Sequence, residues 1–188
     1  LRGLVDHLER GHPFTPPVLG VLNLDAHLDL RRSSRPTSGT SFRDAALLCQ
    51  ALGWEYRYLC VGVAETANTE ALFDTARELG GRGVPDLEAT PADLGEVLAT
   101  VRAFQREVDH LHLSVDLDVL PGWVAPGVSA PAAPGVDPSV VLGVVREVLA
   151  GDRLRSVDIS ELSPPHDIDG GTARMAARLA WIVAGGRA

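Results

Sequence analysis

Most of the features that would assign this chain a role at a glance are missing from it. Its 188 residues hold 17 Lys and Arg against 25 Asp and Glu, a formal net charge of −8. No basic run or basic amphipathic helix is present, which argues against a nucleic-acid surface, since phosphates require clustered cations. No apolar stretch approaches the roughly 20 residues that span a bilayer, and the start of the chain lacks a signal-peptide pattern. The expectation is therefore a cytoplasmic protein with no membrane partner. Two cysteines, Cys49 and Cys60, lack metal-type spacing and read as free core thiols. No repeat, low-complexity tract or linker divides the chain, and its length suits one domain over residues 1–188 with a substantial core.

What is present is a pair of acidic motifs. The apolar run Val18 to Leu24 delivers Asp25, His27 and Asp29 at alternate positions (NLDAHLDLR, 23–31), and SVDLDV (114–119) delivers Asp116 and Asp118 in the same way. In an extended backbone alternate side chains share a face, so neighbouring strand ends would bring four carboxylates and an imidazole together. Two carboxylates about 4 Å apart repel by roughly 4 kcal/mol at an effective dielectric near 20; a bound cation removes that conflict. Oxygen ligands with one imidazole suit Mn, Mg, Fe(II) or Zn, and a carboxylate set can bridge two ions about 3.5–4 Å apart, which lowers the pKa of a shared water. The plainer alternative is that these acids only cap helices after strands.

Apolar runs and helical periodicity alternate along the chain. Residues 1–10 have helical spacing that Gly11 and Pro13 end, and strands are expected at 18–24, 56–63, 110–117 and 153–162. Helices are expected at 42–52, 69–79, 90–107 (Thr90 capping, Pro91 first), 137–150 (Asp137 capping, Pro138 first) and 172–184. Loops at 31–42, 120–136 and 163–171 follow strands. The pattern predicts an α/β fold, a mostly parallel sheet with helices on both faces, whose ligands bind beyond the carboxyl ends of the strands. His110 and His112 share a face with Asp116, but His112 lies roughly 13 Å back along the strand and is expected to be a sheet-face histidine. Asp158 ends a strand as a helper of the metal ligands or as a helix cap. The three tryptophans are expected to pack, with Trp123 an alternative pocket residue.

NLDAHLDLR, SSRPTSGTSFRD (33–44), LSVDLDVLPGWVAPGVSAPA (113–132) and DISELSPPHDIDGGTARMAARL (158–179) resemble the ureohydrolase family, which includes arginase and agmatinase. The resemblance covers nearly the whole chain. It implies a three-layer α/β/α arginase-like fold, N-terminally incomplete here, and a centre of two Mn2+ ions. Asp25 and Asp116 would bridge both ions, His27 and Asp118 serve one, and Asp29 the other. Glu161 would hold the substrate's amidine, for which a carboxylate offers two charge-assisted hydrogen bonds. Within the family the wording points to members that hydrolyse N-formimidoyl-L-glutamate to glutamate and formamide. A guanidine substrate releasing urea is the nearest alternative. Arg31, with Ser38 and Thr40 on the same loop, would take the substrate's carboxylate, and His166 would relay a proton to the leaving nitrogen, unless it is a plain surface histidine. Phe42 stands near where arginases place a histidine, which disfavours arginase itself. The family's upstream GGxH metal histidine has no counterpart, so one ion would lack a ligand, and a catalytically silent metal-binding domain is a further alternative. Trimers or hexamers are implied by the family alone.

Overall fold

The apolar runs centred on residues 18–24 and 110–116 become the two strands that the molecule buries most completely. In the structure, a computed structural model that describes residues 2–11 and 16–185, β1 (Val18–Leu24) and β4 (His110–Asp116) lie side by side. β2 (Glu55–Val63) and the short β3 (Arg82–Pro85) extend the sheet on one side, and β5 (Leu154–Ser160) on the other. The order is β3-β2-β1-β4-β5 with every pairing parallel. Central parallel strands face helices on both sides, which is why they read as near-continuous apolar runs.

Helices α1 (Arg2–Gly11), α2 (Ser41–Ala51) and α3 (Glu70–Glu78) cover one face. There Val5, Leu8, Phe42, Cys49 and Ala76 pack on Leu19, Val21, Tyr58 and Cys60. Helices α4 (Leu94–Arg106), α5 (Pro138–Ala150) and α6 (Gly171–Val183) cover the other. Val101, Phe104, Val144 and Leu179 pack there on Leu22, Leu24, Leu113 and Val115. The result is the expected three-layer α/β/α arrangement. Truncating any one of the buried leucines to Ala would cost about 2–5 kcal/mol.

The differences from expectation are local. Arg82–Pro85 forms an edge strand although Gly83 and Pro85 are poor strand formers; pairing with β2 supplies what propensity does not. Helix α4 begins at Leu94, three residues after Pro91, because residues 90–93 form a turn in which the Asp93 N–H donates to the Thr90 carbonyl (3.0 Å). α5 starts as expected, with the Asp137 carboxylate accepting from the Ser139 N–H at 2.7 Å. Leu1 and Pro13, read as part of the first helix and its stop, lie outside the described residues.

From β1 the chain steps outward through β2 to β3, then returns to the opposite flank of β1 as β4. Strand order therefore reverses between β1 and β4, and the crevice beyond their carboxyl ends is the position where ligands bind in open parallel sheets.

Candidate metal centre

Asp25 is the first residue after β1 and Asp116 the last of β4, and each folds the chain behind it in the same way. The Asp25 Oδ1 accepts the N–H of His27 at 2.6 Å, and the Asp116 Oδ1 accepts the N–H of Asp118 at 3.0 Å. These are two aspartate turns of the kind that bond a side chain to the backbone two residues on. The convergence of the motifs thus comes from paired turns after the strands, and not from continued strand alternation as the sequence suggested. Residues 25–27 bend, and residues 117–119 form a single turn of 3-10 helix.

The turns bring Asp25, His27 and Asp118 to within ligand distance of one another, offering one atom each inside 4.8 Å. His27 Nδ1 lies 3.0 Å from Asp118 Oδ2 and 3.4 Å from Asp25 Oδ1. Hydrogen bonding to Asp118 first, then to Asp25, pushes the imidazole up to about 10. Burial raises Asp25 and Asp116 well above the carboxylate range, reinforced for Asp25 by Asp118 and Asp29 and for Asp116 by Asp25 and Asp118. Burial likewise lifts Asp29 to about 6. The buried Oδ1 of Asp118 has no hydrogen-bond partner among the described residues. An orphaned carboxylate oxygen among mutually repelling acids beside an imidazole is a donor set that fits a divalent cation.

Groups beneath the turns fix their shape. Asn23 Nδ2 donates to Asp25 Oδ2 at 2.8 Å. The Tyr58 hydroxyl donates to the Leu28 carbonyl at 2.7 Å, and Asn68 spans the segment, accepting from the Leu28 N–H and donating to the carbonyls of Ala26 and Ala64. The Cys60 thiol, fully buried and held in its neutral form by burial, lies 3.5 Å from the carbonyls of Asp25 and His27. Gly62 completes the floor with φ of 105°, where a Cβ would meet Val119 at 2.5 Å and the Asp25 carbonyl at 3.3 Å. None of these supports stands out in the sequence, because an isolated Asn or Tyr carries no spacing signal.

The remaining expected residues fall at different distances from the crevice. Asp29 is outside the tight three-residue group, but its charge interacts with His27, Asp118, Glu161 and Arg31. Asp29 and Glu161 both adopt left-handed backbone (φ 50° and 66°), a strain that non-glycine residues hold only where the surroundings impose it. Arg31 is exposed, with its N–H donating to the Gly39 carbonyl at 2.8 Å and its guanidinium lying over Gly39. Ser38 is also exposed, whereas Thr40 is buried, and its hydroxyl bonds to the Thr37 carbonyl and the Asp44 carboxylate. Those two bonds tie Thr40 to the start of α2 and occupy its hydroxyl. His166 is exposed and pairs through Nδ1 with the Ser163 hydroxyl at 2.8 Å. Asp167 beside it caps α6, accepting from the N–H groups of Thr172 and Ala173. His112 is buried and bonded to β5, as a sheet-face histidine should be. Trp54 packs in the core, but Trp123 is 75% exposed and Trp181 44%, so neither is the packing residue expected. Both cysteines are free and buried. Among the described residues no helix is long and apolar enough to cross a membrane.

Residues 1–185 match the model of the arginase family. A protein of Ralstonia nicotianae named formimidoylglutamase is 50% identical over 184 residues, 98% of this chain and 56% of that protein. One of the same name from Nocardia farcinica is 51% identical over 161 residues, 86% of this chain and 50% of its own. The chain thus spans about half the length of the curated relatives it matches. The crystal structure of Trypanosoma cruzi formiminoglutamase with Mn2+ superposes with a TM-score of 0.74 at 25% identity, covering 86% of this chain and 54% of that one.

Proposed function

The chain belongs to the arginase family, and from that premise we propose that it carries the metal centre of a hydrolase that cleaves the C–N bond of N-formimidoyl-L-glutamate. Water adds at the formimidoyl carbon, the C–N bond to the glutamate nitrogen breaks, and L-glutamate and formamide leave. The observation that carries this proposal is the Asp25–His27–Asp118 group, two buried acids beside a half-buried imidazole with one carboxylate oxygen unpartnered among the described residues, at the point where strand order reverses. The choice of substrate rests on the names of the relatives at about half identity.

Asp25, His27, Asp29, Asp116 and Asp118 would hold two Mn2+ ions. When bound, such ions act as Lewis acids that bring the deprotonation of water into the neutral range. Glu161 would accept both N–H groups of the amidinium edge, fixing the carbon over the centre. Arg31 would fork onto the substrate's carboxylate, with Ser38 adding a hydroxyl donor. His166 would deliver a proton to the departing nitrogen, so that a neutral amine leaves in place of an anion.

The test is product identity from Mn2+-loaded protein given N-formimidoyl-L-glutamate or a guanidino acid. Formamide from the first supports the proposal. Urea from the second, without formamide, replaces it with a guanidine hydrolase, and Mn2+ binding without either product points to a catalytically silent metal-binding domain.

A further inference from the structure

The long loop at 121–136 reaches Glu161, the carboxylate proposed to hold the substrate's amidine. Its base is closed by the Val136 N–H to the Val119 carbonyl (2.7 Å) and the Gly122 N–H to the Ala132 carbonyl (3.0 Å). Its middle is pinned to the loop after β5 and to the start of α6: the Ser163 N–H donates to the Gly127 carbonyl (2.7 Å), and the Gly127 N–H donates to the Thr172 hydroxyl (2.8 Å). Only glycine fits at this crossing, because a Cβ on Gly127 would come within 2.6 Å of the Asp167 Cβ. Two residues beyond the pin, the Ser129 hydroxyl donates to Glu161 Oε2 at 2.8 Å.

We propose that Ser129 is a positioning residue for Glu161, and through it for the amidine edge of the substrate; this rests on Glu161 being the amidine holder. Glu161 follows the end of β5 in left-handed backbone, so its strand does not dictate where the carboxylate points. A donor anchored by a pinned loop supplies that direction. It engages Oε2 and leaves Oε1 and the second lone pair of Oε2 for two parallel N–H donors. A hydroxyl suits the task because it orients the carboxylate without neutralising it, as a cationic partner would.

The experiment uses acetamidinium as a probe of the amidine site on the Mn2+-loaded protein, by calorimetry, together with steady-state kinetics on N-formimidoyl-L-glutamate. Ser129→Ala is expected to weaken acetamidinium binding about tenfold and to raise KM by a similar factor with kcat little changed, the signature of lost uniform binding. Ser129→Thr, which keeps the hydroxyl, is expected to restore both, and Mn2+ content and melting temperature are expected to be the same in all three proteins. Acetamidinium affinity in Ser129→Ala equal to wild type, or the same loss in Ser129→Thr as in Ser129→Ala, would overturn the role of Ser129 alone. A wild-type protein that binds no acetamidinium would overturn the assignment of Glu161 and this proposal with it.

Discussion

Two clusters of histidine and aspartate lie on the same face of β4 and its neighbours, and they behave in opposite ways. At the carboxyl ends of β1 and β4, burial and mutual repulsion drive Asp25 and Asp116 up, and one oxygen of Asp118 has no partner among the described residues. Midway along β4, His112 Nδ1 pairs with the Ser156 hydroxyl at 2.7 Å, and the Ser114 hydroxyl donates to Asp158 Oδ1 at 2.6 Å. His112 Nε2 lies 2.9 Å from Asp158 Oδ2, off the line of a ring N–H bond. Burial alone would raise Asp158, yet the His112 and Ser114 contacts hold it below the usual carboxylate range. The same residue types thus give acids with hydrogen-bonding partners from neighbouring strands in one place and a cluster of repelling acids that fits a cation in the other. What separates them is whether the acids are compensated from within the protein.

That contrast can be broken by substitution. Asp116→Asn should weaken Mn2+ binding by roughly 100-fold or more, since even supporting residues of metal ligands are worth 10–100-fold. It should not lower the melting temperature of the metal-free protein, because it removes a buried acid that repels its neighbours. Asn68→Ala frees the segment that carries His27 and should weaken Mn2+ binding by about tenfold in a calorimetric titration. Asp158→Asn should do the reverse of the first: Mn2+ affinity stays within about threefold of wild type, while the metal-free protein loses about 1 kcal/mol, some 2–4 °C in melting temperature. A loss of Mn2+ binding in Asp158→Asn as large as in Asp116→Asn would erase the distinction between the two clusters.

The Asp25–His27–Asp118 group of the candidate metal centre was legible because each motif organises itself. An aspartate two positions before a histidine or second aspartate makes its own turn, so Asp25 with His27 and Asp116 with Asp118 converge without help from distant sequence. The central strands were legible for a similar reason, since burial on both faces leaves an unbroken apolar run. What escaped depends on register or on single contacts. That His112 and Ser114 share a face follows from alternation, but their partners Ser156 and Asp158 depend on how β5 pairs with β4. Asn68 reaches its carbonyls across 42 and 4 residues, and Ser129 reaches Glu161 across 32. β3 was invisible because its four residues form a strand only when β2 offers an edge.

The most direct test of the central claim is the melting temperature against pH, with and without Mn2+. Asp29, ordinarily near 4, is raised to about 6 in the fold, so its contribution is fully favourable below the lower value and is lost as pH rises through the upper one. His27 has the same sign: stability is present below its ordinary value near 6.5 and lost as pH climbs through about 10. Burial gives Asp25 and Asp116 that direction too. The metal-free protein should therefore melt lower by roughly 5 °C or more at about pH 9 than at about pH 5, and saturating Mn2+ should flatten or reverse the slope, because cations bind the deprotonated ligands. Melting curves that coincide with and without Mn2+ across the whole range would contradict the assignment of this cluster as a metal centre.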